Sequence, residues 1–288
     1  MRNKTMATIS AVILGLCSCA WASRQVQDEL GRTMTIPDRP HRVVCLTPSI
    51  TDTVYSLGAG DEVVGISDYT KFPAEALKKP SVGQVLNPSV EAVVALHPDL
   101  LIGVGDLNTE VAVLKIERLG IPVFLVVPHG INGIYRSIEN IGKVLDRERE
   151  ARELVSSLHA REQAVRKSIA GKSPVRLFMP LSDDPVITIG KNAFLTELIA
   201  AAGGKSVTDD LTPDWPNISM EAVLVRQPDY LLLIEGSPLT LDALKKRPGW
   251  KNLSCIQQNR IFYIDDRMNY SSPVVFGALE SLAKQFHP

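Results

Sequence analysis

The sequence lacks the surplus of positive charge that a nucleic-acid partner demands. Its 31 lysines and arginines stand against 32 aspartates and glutamates, a net charge of -1, and no basic stripe is present to neutralise phosphates. It lacks any apolar stretch of the roughly 18 to 20 residues that cross a bilayer as a helix. No G-x-G-x-x-G follows a strand and no Walker A sequence occurs, so dinucleotide and nucleoside triphosphate binding lose their usual signatures. Gly65-Ile-Ser-Asp-Tyr69 begins like a nucleophile elbow but has no closing glycine. His41, His97, His129, His159 and His287 are scattered, with no H-x-x-x-H and no Cys/His pairing at ligand spacing. The acidic pairs Asp209-Asp210 and Asp265-Asp266 read as solvated turns. Neither a catalytic centre, a resident metal site nor a cofactor is expected. Cysteine is scarce as well: beyond Cys17 and Cys19 only Cys45 and Cys255 remain, in opposite halves, and they read as buried, unpaired thiols.

What is present describes a folded, exported protein. A hydrophobic fraction of 45% with 22% charged residues suits a globular chain, and 288 residues suffice for one large or two ordinary domains. At the N-terminus, Arg2 and Lys4 precede a short apolar run, Ala7 to Leu16, and then Ala20-Trp21-Ala22. This pattern predicts a secretory leader over residues 1–22. Leu16-Cys17-Ser18-Cys19 offers an alternative ending, lipid attachment at Cys19.

After the leader, residues 28–39 suggest a hairpin turning near Gly31. Strands are expected at Arg42–Leu46, Val63–Ile66, Leu100–Val104 and Val123–Val127, with helices between them. Pro48-Ser49 is expected to end the first strand, with Thr51 or Asp52 capping a helix that stops at Gly58-Ala59-Gly60. From Asp146 to Ala170 the apolar residues recur at helical spacing without Gly or Pro, and Glu162 pairs with Arg166 on another face. That predicts a helix of roughly 35 Å joining two parts of the chain. The alternation then resumes at Val175–Met179, Ile187–Ile189 and a helix at Ala193–Ala202 ending at Gly203-Gly204.

An internal repeat sharpens this picture. Asn87-Pro-Ser-Val-Glu91-Ala-Val-Val-Ala-Leu-His-Pro98-Asp99 aligns without gaps on Asn217-Ile-Ser-Met-Glu221-Ala-Val-Leu-Val-Arg-Gln-Pro228-Asp229. Each copy reads as a cap, a short helix, a Pro-Asp turn and an apolar strand. Two copies flanking a long helix predict two similar α/β lobes with Rossmann-like parallel sheets, residues 23–145 and 171–288, joined by the helix at 146–170 with a cleft between them.

These residues carry a resemblance. Gly31-Arg32 with Pro37, Arg42-Val-Val-Cys-Leu-Thr-Pro48-Ser49, and Asn87-Pro-Ser-Val-Glu91 with Pro98-Asp99-Leu-Leu-Ile102 resemble the helical-backbone class of ABC-importer binding proteins, which carry iron-siderophores, haem and cobalamin. The similarity covers nearly all of the mature chain. Within that class the chain is most similar to the cobalamin-binding subgroup, and Asp214-Trp215-Pro216-Asn-Ile-Ser219-Met-Glu221 resembles a Trp-Pro segment of that subgroup. The resemblance implies a periplasmic monomer without enzymatic activity, whose partners are an ABC permease with its ATPase and a small-molecule metal chelate. The implied cargo is cobalamin or a related corrinoid, with an iron-siderophore or haem as the alternative. It also implies site residues. Glu91 and Glu221 match two glutamates, one per lobe, that grip arginines of the permease. Tyr69, Trp215 and Asp266 fall where the subgroup contacts its ligand, and Phe72 shares the loop of Tyr69. Tyr270 stands where the subgroup has an arginine, and Gly83, Val104 and Leu181 stand where it has cleft aromatics.

Overall fold

The computed structural model describes residues 22–108 and 110–288. All of the expected leader except Ala22, including Cys19, lies outside the described residues.

The chain opens on an antiparallel hairpin of Ser23–Gln27 (β1) and Thr33–Pro37 (β2). Asp28 holds the turn: its carboxylate accepts from the backbone N–H of Leu30 and Arg32 and from the Arg32 guanidinium at 2.7 Å. Strand and helix then alternate through Val43–Cys45 (β3), Pro48–Ser56 (α1), Val63–Ile66 (β4), Val90–Ala95 (α2), Leu100–Val104 (β5), Glu110–Glu117 (α3), Val123–Val126 (β6) and Gly130–Val144 (α4). After Glu148–Ser168 (α5) the second lobe begins. Its elements are Val175–Phe178 (β7), a small hairpin of Pro180–Asp183 (β8) and Val186–Thr188 (β9), Phe194–Ala201 (α6), Gly204–Ser206 (β10), Met220–Arg226 (α7), Tyr230–Ile234 (β11), Leu241–Lys245 (α8), Ser254–Gln257 (α9), Ile261–Ile264 (β12) and Val275–Phe286 (α10).

Both main sheets are parallel. Their strand orders are β4-β3-β5-β6 and β10-β7-β11-β12, which in each lobe is second, first, third, fourth. Successive residues of a strand point to opposite faces, and helices cover both faces, so both sets of side chains are apolar. In β5, Leu100, Ile102 and Val104 join a core that runs through both lobes, whereas Leu101 faces a separate outer core of the N-lobe. In β11, Leu232 takes the shared side, and Leu231 and Leu233 take an outer core of the C-lobe. The lobes therefore share their inner layer.

Two expectations are corrected here. The first helix is capped by Thr47, not by Thr51 or Asp52: the Thr47 hydroxyl accepts from Ile50 N–H at 3.3 Å and Pro48 opens the helix. Proline suits that position because a first-turn N–H has no intrahelical partner to lose. Secondly, the joining helix spans Glu148–Ser168, 21 residues or about 31 Å, and not 146–170. Leu145, Asp146 and Arg147 form a tight reversal with Asp146 at φ 58°, which folds α5 back along α4.

Helix α5 buries one stripe, Ala151, Val155, Leu158, Glu162 and Val165. It packs against α4 of the N-lobe and α10 of the C-lobe. The Arg161 guanidinium meets the Glu280 carboxylate on α10 with both arms, at 2.6 and 3.0 Å. Glu162 pairs with Arg166 as expected, but its carboxylate is buried, because it also accepts the Tyr135 hydroxyl of α4 at 2.8 Å. Burial, then the hydrogen bond to the Glu162 carboxylate and its charge, push the Tyr135 phenol far above its ordinary value. The Tyr135 ring lies 3.8 Å from His159 on α5 and 5.4 Å from Phe276 on α10, so one side chain touches all three helices of the junction.

Candidate functional site

The repeat becomes a repeated structure. Ser89 and Ser219 cap α2 and α7, each hydroxyl accepting from the N–H three residues on, Ala92 or Ala222, at 3.2 Å. Each segment then passes through a residue at φ 45°, His97 or Gln227, and the Pro-Asp turn before entering β5 or β11. Glu91 and Glu221 are the second residues of the two helices and both are exposed. Glu91 accepts from the Ser89 hydroxyl at 3.2 Å. Glu221 is held below the ordinary glutamate range by its own backbone N–H and then by the Ser219 hydroxyl. Beside Glu91 lies a surface hollow of about 480 Å³ lined by Asp68, Asn87, Ser89 and Lys115 among others.

The repeat reaches further than the sequence alignment. Arg42, just before β3, donates to the Leu96 carbonyl at 2.6 Å, and Arg176 of β7 donates to the Arg226 carbonyl at 2.7 Å. Leu96 and Arg226 occupy the same repeat position, at the C-terminal end of α2 and α7. Asp99 and Asp229 complete the clasp, their N–H groups donating to the Arg42 and Arg176 carbonyls at 3.0 and 3.1 Å. An arginine entering the first strand of each lobe thus ties down the helix that carries the glutamate. The only sequence signal for it is an Arg followed by apolar residues at a similar distance ahead of each Pro-Asp.

Parallel sheets present their carboxyl ends to the loops that hold ligands. Four of the expected ligand residues meet there across the lobes. Tyr69 follows β4 at φ 66° and is well exposed. Phe72, in the same loop, packs edge-on against Tyr270, with centroids 4.8 Å apart. The largely buried Tyr270 donates through its hydroxyl to the Tyr69 carbonyl at 3.4 Å. Asp266 forms an ion pair with Lys71, a partner the sequence reading missed although it lies between Tyr69 and Phe72. Burial, followed by the Asp266 charge, raises the Tyr270 phenol above its usual value.

Trp215 sits on the loop between β10 and α7 and is half-exposed. Backbone bonds from Gly190 to Asp214 (2.9 Å) and from Thr188 to Pro216 (3.1 Å) fasten its loop to the β8–β9 hairpin. That approach requires glycine, since a Cβ at position 190 would stand 1.8 Å from the Pro213 carbonyl oxygen. Val104 is buried in the core, Leu181 packs against it, and Gly83 adopts φ 94°. Cys45 and Cys255 are free and buried, in separate lobes, with desolvation pushing their thiols up to about 12 and about 11. Among the described residues no three His, Cys, Asp or Glu side chains gather as a metal site.

Comparison with known proteins gives the same picture. A family model described as periplasmic binding protein matches residues 43–268. An ABC transporter substrate-binding lipoprotein of Bacillus subtilis, YvrC, is 30% identical over 271 residues, covering 91% of this chain and 85% of that one. A vitamin B12-binding protein of Vibrio cholerae is 26% identical over 251 residues, covering 85% and 89%. Among solved structures, the periplasmic heme-binding protein RhuT from Roseiflexus sp. RS-1 superposes with a TM-score of 0.79 at 25% identity, covering 86% of this chain and 98% of that one. With two like-wound lobes, one joining helix and matched glutamate-bearing repeats, the chain belongs to the periplasmic binding protein family, as a helical-backbone substrate-binding protein of the ABC-transporter type.

Proposed function

We propose that this protein captures a corrinoid, cobalamin or a near relative, between its lobes and hands it to an ABC permease that it grips through Glu91 and Glu221. The observation that carries the reading is the meeting of aromatic side chains from both lobes at the carboxyl ends of the sheets, Tyr69 and Phe72 from one and Tyr270 from the other. Such faces suit a broad, flat macrocycle, and the Lys71–Asp266 pair supplies polar groups for its rim. Trp215 offers a further flat, half-exposed surface. The docking half rests on the exposure of the two glutamates at matched points, because arginine takes a carboxylate in a two-armed, orientation-fixing geometry.

Trp215 is the exposed tryptophan of the described chain and Trp250 is buried, so cargo in the cleft should quench chiefly Trp215 fluorescence. Titration with cobalamin and cobinamide is expected to give micromolar or tighter binding, weakened by about 1 to 3 kcal/mol in Trp215→Ala. Binding of haem or a ferric siderophore with no response to any corrinoid would replace the corrinoid by that chelate. Glu91→Lys with Glu221→Lys is expected to abolish uptake while cargo affinity and folding change by no more than about 0.5 kcal/mol, as for exposed positions. Intact uptake in that double variant would reduce both glutamates to helix-terminal residues.

A further inference from the structure

Two carboxylates cross from one lobe to the other. Asp52 lies buried on α1 of the N-lobe and accepts from Val274 N–H at 3.0 Å, at the residue that leads into α10 of the C-lobe. Glu197 lies on α6 of the C-lobe and accepts from Ile131 N–H at 3.2 Å, in the first turn of α4 of the N-lobe. These are the same contact made twice. Helices α1 and α6 each follow the first parallel strand of their lobe, and α4 and α10 each follow the fourth. Asp52 stands six residues ahead of Gly58 and Glu197 six ahead of Gly203, and both glycines close their helix at positive φ, 71° and 87°.

The physical logic is that of a helix cap supplied in trans. First-turn N–H groups have no intrahelical acceptor, and a carboxylate there also meets the positive end of the helix dipole. The recipient helices are long enough for both effects, 15 and 12 residues. The seat for Glu197 is shaped for it: a Cβ on Gly130, which opens α4 at φ 68°, would lie 2.4 Å from a Glu197 carboxylate oxygen. Asp52 is further enclosed beside the Ser272 hydroxyl.

We infer that Asp52 and Glu197 are positioning residues that set the angle between the lobes, each fixing the N-terminus of the other lobe's fourth-strand helix. Helix α5 alone does not do this. It ties the two lobes along one line, and rotation about that line is opposed by contacts lying off it. The two caps are such contacts, related by exchange of the lobes, so together they hold cleft width and the span between Glu91 and Glu221. The consequence for docking rests on the function proposed above, whereas the consequence for lobe angle does not.

The test measures that angle directly. With Cys17→Ser and Cys19→Ser in place, spin labels on Arg118→Cys and Lys251→Cys, both exposed and one per lobe, report the interlobe distance by double electron–electron resonance, with Cys45 and Cys255 buried and unlabelled. The full chain should give one narrow distribution. Glu197→Ala removes an exposed side chain, so the protein stays folded, and its distribution should broaden, with Glu197→Gln restoring the narrow form. Asp52→Ala with Glu197→Ala should broaden it beyond either single change. With cobalamin as the probe, affinity in the double variant should fall about fivefold or more, because the competent arrangement is then only partly populated. An unchanged distribution in folded Glu197→Ala and in the double variant would overturn the inference. Failure of cobalamin to bind the unaltered protein would instead strike the proposed cargo and leave the distance result to decide the lobe angle.

Discussion

The two lobes share a winding, a capped glutamate helix and an arginine clasp, yet they treat the segment between their third and fourth strands differently. In the N-lobe this segment is α3 and its approach, which bury Ala112, Val113 and Ile116 but leave Leu107, Val111 and Leu114 exposed. In the C-lobe the same connection folds into α8, a single turn at Trp250–Asn252, and α9. There Leu239, Leu244, Trp250, Leu253 and Ile256 are buried and make a core of their own with Phe178, whose ring lies 6.1 Å from Trp250. A common strand order thus fixes where a connection leaves and returns but not which of its side chains the fold conceals. What repeats is the frame that holds the glutamates, and what varies is the surface beside it.

Breaking this contrast should produce the largest effect. Trp250→Ala should cost about 3 to 5 kcal/mol in denaturant unfolding, since it empties the middle of the C-lobe core. Val111→Ser in the matching N-lobe segment should stay within about 0.5 kcal/mol. Equal losses would mean that Val111 is packed as firmly as Trp250. The clasps should differ less. Arg42 reaches the Leu96 and His97 carbonyls through three bonds, whereas Arg176 makes one to Arg226 and stands 3.9 Å from Asp229. Arg42→Ala is therefore expected to cost about 1 to 2 kcal/mol and Arg176→Ala about half of that. The reverse order in thermal unfolding would refute the ranking.

The smallest effect belongs to the junction. Hydrogen bonding from Arg161 and then its charge hold Glu280 below the ordinary glutamate value of 4.5. A depressed carboxylate stabilises the fold above its unfolded value, and the gain is lost as pH falls through the folded one. The pair is about one-third exposed, so Glu280→Gln should cost only about 0.5 kcal/mol near neutrality. Its melting curve should converge on that of the unaltered protein in acid. A difference that persists below both values would point to packing and not to charge.

Much of this was legible because it is local. The apolar runs Val63–Ile66, Leu100–Val104 and Tyr230–Ile234 are strands with those bounds, and the repeat pairs Glu91 with Glu221, which hold matching positions in α2 and α7. Helix α4 was not anticipated because Gly133 and Gly142 lower its intrinsic helicity. Packing explains both: a Cβ on Gly142 would meet Ala151 of α5 at 2.5 Å, and one on Gly133 would meet the Pro128 carbonyl carbon at 2.9 Å. Thr47 was missed because Pro48 reads equally as the end of a strand or the start of a helix. At the site, Lys71 and Asp266 are 195 residues apart, and no local pattern announces their meeting. Asp52 and Glu197 left one trace, the like endings of their helices at Gly58 and Gly203, which marked the two elements as counterparts without revealing what their carboxylates touch.

The bond from Asp52 to Val274 also orders events in time. Its ends lie 222 residues apart, so closing that loop carries a large entropy cost until the intervening chain has condensed. Synthesis proceeds from the N-terminus, and every strand of the N-lobe precedes residue 127. That lobe can fold while α10 does not yet exist, with Asp52 still in water. Only when α10 arrives is the carboxylate enclosed and the junction sealed. The relation between the lobes is thus made after the N-lobe itself. Trimming the chain ahead of residue 274 takes Phe276, Leu279, Leu282 and Phe286 out of the core the lobes share, so the N-lobe sheet should remain wound while the angle between the lobes loosens.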